Sequence, residues 1–397
     1  MATGIARRAT VGILAVALAI GLVADRPGRP TSAGTTVGRT PVGPNPVAVA
    51  LAPGAGRVFV LSRGAVDATD NPLGPGTVSA LDAATGAVVS IVDVGIDPFA
   101  VAVDERAGRV FVVNRHPNGT VSVLDARDGH LLRNVRVGSW PQAIADDEAT
   151  GKVLVANRGP TPRPGSITVL DAYQGKVLGE IEVGVYPAAI AIDSRLGLAF
   201  VANFLSNTVS FLSTRDMRIV RTVRLGTEPG TVARLVVDES SGHLFAMSYP
   251  PRVTGGGPTD GQVAIIDERN GAILKTMTLP NPTAMAENPR TGQVLVSSAT
   301  DQGGSLTALD GRTGDRLWTA RVGADPDAIG VDAEASRLFV LGRDSGTLDV
   351  LDAGGGRRRC TLRVGDRPVA LAISERLHRV FVASAGDTSL TIVQPAC

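Results

Sequence analysis

Five arginines and four aromatic residues carry most of the chemistry that this 397-residue sequence could do. Arg63, Arg115, Arg158 and Arg343 each follow a short apolar run of one recurring type, as do Phe204 and Tyr249; Trp140, Tyr186 and Arg367 each stand just before a proline. Guanidinium groups suit bidentate contact with phosphate or carboxylate, and aromatic faces stack on bases or sugar rings. Gathered on one surface, these residues predict a site for an anionic, ring-bearing ligand such as single-stranded nucleic acid or an acidic saccharide. The competing reading pairs the arginines with Asp97, Asp325 and Asp366 and uses the aromatics to cover loop backbone.

Catalysis finds less support. His116, His130, His243 and His378 fall at dissimilar places, and H-x-x-x-H, C-x-x-C and G-x-S-x-G are all absent. The spacing therefore assigns no catalytic residue, no cofactor and no metal, although a metal site assembled from separate segments would leave no spacing to read. A lactonase-like hydrolase would need Glu228, Asp97, Asp325 and His116 to converge. Asn118-Gly119-Thr120 matches a glycosylation sequon, but Asn-Gly between two strands reads as a tight hairpin turn.

What must position these residues is a repeat. Aligned on the apolar run after each proline, the chain shows PVAVALAP from Pro46, PFAVAVDE from Pro98, PQAIADDE from Pro141, PAAIAIDS from Pro187, a shifted VARLVVDE after Pro229, PTAMAENP from Pro282, PDAIGVDA from Pro326 and PVALAISE from Pro368. The intervals are 52, 43, 46, 42, 53, 44 and 42 residues, a period that belongs to β-propellers. Within a copy, AVAVD, RVFVVN, TVSVLD and LLRNVRV alternate with period two between Gly, Asp, Asn and Pro, which predicts four antiparallel strands, a to d. The a-b link is D-x-x-x-G and the c-d link D-A-x-x-G. Asp accepts backbone N–H groups two residues on and Gly takes the closing positive φ, so Asp82, Asp125, Asp171, Asp310 and Asp352 read as turn residues rather than catalytic ones.

Phe111-Val112-Val113-Asn114, Leu154-Val155-Ala156-Asn157 and Phe200-Val201-Ala202-Asn203, with the preceding A-I-A-x-D-x-x-x-G and following V-x-V-L-D, resemble the signature of the YVTN-family β-propeller repeat proteins. The likeness runs from about Val42 onward; Ser62, Ser248, Ser298, Gly342 and Ser384 depart from it at the Asn position. It implies an exported propeller with a binding function. Leu306 to Trp318, LTALDGRTGDRLW, is similar to the repeat of pyrroloquinoline-quinone dehydrogenases, but only this copy carries the tryptophan, so a ring of docking tryptophans is excluded.

Copy 8 stops at Ile392-Val393-Gln394 without a strand d. Thr35 to Thr40 precedes Val42-Gly43 as Leu132 to Arg136 precedes Val137-Gly138, so the N-terminus is expected to supply it, within residues 25–40, and close an all-β ring over 41–397. Closure removes two exposed sheet edges. Eight blades are expected, with seven as the alternative.

In such a blade the a-b and c-d turns share one face, and the b-c and d-a loops share the other. The longest loops, Ser62 to Gly76, Asn157 to Gly165 and Ser248 to Gly261, lie on the second face, where the arginines and aromatics also fall. Ahead of the ring, Arg7 and Arg8 precede an uncharged run from Ala9 to Ala24. As a helix that run spans about 24 Å, short of a bilayer's ~30 Å core, so residues 1–24 read as a signal peptide cleaved after Ala24 or Ala33, with an uncleaved anchor as the alternative. The formal charge of +1 becomes −1 without Arg7 and Arg8, leaving no global field toward nucleic acid or membrane. Export invites a disulfide between Cys360 and Cys397. The expected molecule is a periplasmic or extracellular monomer, without a transmembrane domain once mature, that binds a ligand, polymer or protein on its loop face; the alternatives are the hydrolase and an adhesive or surface-layer protein.

Overall fold

The computed structural model describes residues 36–226, 231–249, 260–300 and 303–397. The expected leader, Glu228 and most of the loop from Ser248 to Gly261 lie outside them. Strands pair into eight four-stranded antiparallel sheets, and no helix occurs among the described residues. Blades 1 to 7 are Pro46–Ile96, Pro98–Arg136, Pro141–Glu182, Pro187–Arg224, Thr231–Leu279, Pro282–Val322 and Pro326–Arg363, and blade 8 begins at Pro368. Inner strands of successive blades neighbour one another around the whole ring, blade 8 meeting blade 1.

The ring closes as the missing strand d required. Thr36–Pro41 pairs antiparallel with Ser389–Gln394, from Thr36 opposite Gln394 to Pro41 opposite Ser389. Leu390 and Val393, on the strand it covers, are fully buried. Cys360, in strand d of blade 7 (Arg358–Arg363), is disulfide-bonded to Cys397, with Cα atoms 6.2 Å apart. One end of the chain thus completes blade 8 while the other is tied to blade 7.

The period-two pattern explains the core. Strand b carries Phe59, Phe111, Phe200, Phe245, Phe339 and Phe381 at one position, each at most 1% exposed. Each ring shares a core cluster with the next blade: Phe59 with Val101 and Val110 of blade 2, Phe111 with Val153 of blade 3, and Phe381 with Val49 and Leu81 of blade 1. Each such burial contributes about 1.5–3 kcal/mol, and because it is an inter-blade contact no blade holds its core alone.

Polar repeats serve the same scaffold. Asp82 accepts the N–H groups of Ala84 and Thr85 at 3.0 and 2.8 Å, and Asp310 those of Arg312 and Thr313, each at 2.9 Å. The Asn that ends strand b clamps strand c: Asn114 donates to Thr120 and Ser122, Asn157 to Ser166 and Thr168, and Asn203 to Thr208 and Ser210. A Cβ on Gly138 would stand 2.6 Å from Asn157 Cγ, so the V-G after strand d and the Asn of the next blade are two halves of one seam. The Asn118-Gly119 expectation is corrected. Asn114 opposite Thr120 is the last pair of strands b and c, leaving a five-residue loop. Gly119 is required because a Cβ there would lie 2.1 Å from the Gly138 carbonyl oxygen.

Two outcomes follow from these contacts. A chain lacking residues 36–41 should lose hydrogen-exchange protection at Leu390–Val393; unchanged protection would show that the strand does not close the ring. Gly138→Ala should destabilise by about 1–3 kcal/mol through overpacking against Asn157, read as a lowered denaturation midpoint.

Candidate binding face

A backbone hydrogen bond lays out the loop face. In seven blades the N–H of the residue that follows the Asn, Ser or Gly of strand b (Arg63, Arg115, Arg158, Phe204, Ala299, Arg343, Ala385) donates to the carbonyl of the residue before strand a (Asn45, Asp97, Trp140, Tyr186, Asn281, Asp325, Arg367) at 2.7–3.0 Å. The carbonyl-bearing residues hold φ between +36 and +59°. Asn and Asp tolerate this left-handed backbone, whereas larger side chains adopt it at a cost. Each blade therefore presents two adjacent side chains, and their identity differs from blade to blade.

In blades 1 and 2 the pairs neutralise one another. Asp97, 4% exposed, takes Arg63 Nε at 2.6 Å and Arg115 Nε at 2.8 Å, and Arg63 also reaches Asp70 at 2.9 Å. The Arg115 guanidinium lies 4.0 Å from the Phe99 ring centre. Hydrogen bonds and charge from Asp70 and Asp97 outweigh burial and raise the Arg63 pKa. In blade 7 the Arg343 guanidinium meets Asp327 at 3.5 Å, not the expected Asp325, and burial raises both aspartates above the usual carboxylate range. Arg367 is exposed and has no side-chain partner among the described residues. Three of the five arginines, Arg63, Arg115 and Arg343, are thus ion-paired, and Asp97, one of the acids a hydrolase would use, is held by two of them.

Blades 3 and 4 differ. Arg158 has no carboxylate partner among the described residues. Its guanidinium lies 4.8 Å from the Tyr186 ring centre and 5.9 Å from that of Trp140, and its Nε is buried without a hydrogen-bond acceptor. Tyr186 in turn packs on Phe204 with centroids 5.3 Å apart, and Trp140 is 36% exposed. Four of the sequence-selected residues therefore form one contiguous row: Trp140, Arg158, Tyr186 and Phe204. Tyr249 stands apart, its hydroxyl donating to the Pro282 carbonyl at 2.5 Å. Sequence reading missed Arg234, which occupies a position filled by Ala in the other blades and donates to the Thr283 carbonyl at 2.7 Å. The signal was VARLVVDE, where a charge replaces the small residue of P-x-A.

The family model for outer membrane protein assembly factor BamB matches residues 31–277 and 227–390. In a comparison with curated proteins, no sequence matches. Among solved structures, the chain is similar to BamB from Moraxella catarrhalis, with TM-score 0.58 and 19% identity over 90% of this chain and 98% of that one. It is also similar to the hydrazine synthase of Kuenenia stuttgartiensis, with TM-score 0.60 and 18% identity over 75% of this chain and 95% of that one. At these identities the two structures speak to the fold.

The opposite face holds acids in the seams. Glu105 accepts the Gly54 N–H at 2.8 Å, Glu148 that of Glu105 at 3.1 Å and Glu375 that of Ala333 at 2.8 Å, so the Glu that follows strand a links one blade to the one before it. Glu287 breaks the apolar alternation of its strand, Pro282–Asn288. Burial, then Asp238 and Glu239, push its carboxyl from 4.5 up to about 8. A raised folded-state pKa favours the native state while the unfolded chain is also protonated, and that advantage is lost as pH climbs from about 4.5 through about 8. Glu287→Gln should therefore raise the melting temperature near pH 8 and change it little below pH 4.5. Thermal melts across that window test this, and a parallel offset at both ends would contradict it.

Proposed function

We propose that this chain, which belongs to the outer membrane protein assembly factor BamB family, is an exported binding propeller whose loop face takes an anionic, ring-bearing ligand on blades 3 and 4. The family match, the propeller and the apolar run ahead of it support an exported protein that holds a partner rather than transforms a substrate, as does the YVTN-like signature of three copies. The observation that carries the ligand class is Arg158. It is half-buried, lies over the Trp140 and Tyr186 rings, and has no carboxylate partner among the described residues. Trp140 and Tyr186 hold the left-handed backbone that Asn takes in blades 1 and 6, and strained positions of this kind concentrate where a fold binds something.

An incoming phosphate or carboxylate would pair with Arg158 while its base, sugar or side-chain ring stacks on Trp140 or Tyr186. The family's role in assembly adds an acidic protein segment to the nucleic acids and acidic saccharides that the same chemistry accepts. Titration of the protein with oligonucleotides, acidic polysaccharides and acidic aromatic peptides at two salt concentrations separates the terms. Arg158→Ala should weaken binding and flatten its salt dependence, since fewer counterions are released from a polyanion. Tyr186→Ala should weaken it by about 1–3 kcal/mol with the salt slope kept. Parental binding by the Arg158 variant, or no binding by any of the three ligand classes, would overturn the reading.

A further inference from the structure

Three carboxylates converge where the inner strands of blades 2 and 3 reach the turn face. Asp104 ends strand a of blade 2 (Pro98–Asp104), Asp146 is the penultimate residue of strand a of blade 3 (Pro141–Asp147), and Glu148 follows that strand. One oxygen of each lies within 4.8 Å of the others. Asp104 is 1% exposed; its Oδ1 accepts the Ala107 N–H at 2.7 Å, and its Oδ2 has no hydrogen-bond partner. Asp146 Oδ1 is likewise buried and unpartnered. Among the described residues, none of the three carboxylates forms an ion pair with Lys or Arg.

The repeat supplies its own control. The residue equivalent to Asp104 receives a side-chain donor in other seams: Asp147 from Thr150 and Ser194, Asp193 from Arg195, and Asp238 from Ser240 and Ser241. In the seam between blades 2 and 3, Glu148 stands where Ser194 of blade 4 donates in the following seam, and Asp146 stands where that blade has Ile192. A buried carboxylate oxygen with no donor is costly, and several together more so; a cation satisfies all of them at once.

We propose that the seam between blades 2 and 3 binds a hard divalent cation of the calcium class through the carboxylates of Asp104, Asp146 and Glu148. The donor set is oxygen only, which suits Ca²⁺ or Mg²⁺ rather than the softer metals. Ca²⁺ takes about six to eight oxygens at ~2.3–2.6 Å in a tolerant geometry, whereas Mg²⁺ demands a near-ideal octahedron at ~2.0–2.1 Å; carboxylates fixed by two separate strands suit the more tolerant ion. The ion would join the inner strands of two blades whose loop ends carry Asp97, Trp140 and Arg158. No spacing motif could reveal it, because the ligands come from two copies of the repeat.

The test is calorimetric titration of the chelator-treated, full-length folded protein with calcium chloride, alongside thermal melts. Binding at a single site is expected, with a melting temperature that rises with Ca²⁺ concentration by mass action. Asp146→Asn should weaken binding by at least about tenfold and melt no lower than the parent in chelator, because it removes a buried like charge. Glu148→Gln serves where that variant fails to fold, and Glu287→Gln, a half-buried acid in another seam, should bind as the parent does. No heat and no melting shift at millimolar Ca²⁺ would overturn the proposal in favour of carboxylates that share protons. Parental affinity in the Asp146 or Glu148 variant would overturn it as well, and preference for Mg²⁺ would overturn the choice of ion.

Discussion

The backbone hydrogen bond between the residue that leaves strand b and the left-handed residue that enters strand a organises this molecule. It turns the chain from the outermost strand of one blade to the innermost strand of the next, and the proline that follows fixes where the new strand begins. Because it uses only N–H and C=O, it places no demand on the two side chains it brings together. The same corner can therefore hold Asp97 with Arg115, Trp140 with Arg158, or Tyr186 with Phe204. A rigid backbone repeat and a variable side-chain pair are the two requirements of a binding surface on a solenoid-like scaffold.

The seams divide the labour differently. Apolar contact is uniform: one phenylalanine per strand b, in six of the eight blades, packs on the next blade. Polar contact varies, with Asn clamps in blades 2 to 4, Ser62 and Ser384 bonded to backbone carbonyls in blades 1 and 8, and carboxylates on the turn face. Variation is affordable there because the hydrophobic seam already supplies most of the stabilisation. The departures at Asp146, Glu287 and Arg234 each break the apolar or small-residue pattern at a strand a position, and each introduces an ionisable group into a confined place.

Membership of the BamB family and the two structural likenesses agree with this division. They share a scaffold at below 20% identity, which is what a fold held by alternation, turns and forward-packed rings allows. The side chains at the loop corners lie outside that common requirement and are free to differ between relatives.

The sequence alone determined the strand alternation, the turn roles of Asp82 and Asp310, and the closure of blade 8 by residues from the N-terminus; it favoured eight blades over seven, and the structure has eight. These depend on local periodicity and on counting strands, both of which are linear properties of the chain. It also placed Arg63, Arg115, Arg158, Trp140 and Tyr186 at equivalent corners of one face. Only the tertiary structure decided which arginines are neutralised. Arg63 finds Asp97 across a blade boundary, Arg343 finds Asp327 rather than Asp325, and Arg158 finds rings instead of a carboxylate. The Asn118-Gly119 loop and the Asp104, Asp146 and Glu148 cluster were hidden for the same reason. A Gly that meets a carbonyl just beyond strand d, and acids that meet across a seam, are adjacent in space while their codes lie in separate stretches of sequence, and electrostatic and steric contact fall off with distance through space, not along the chain.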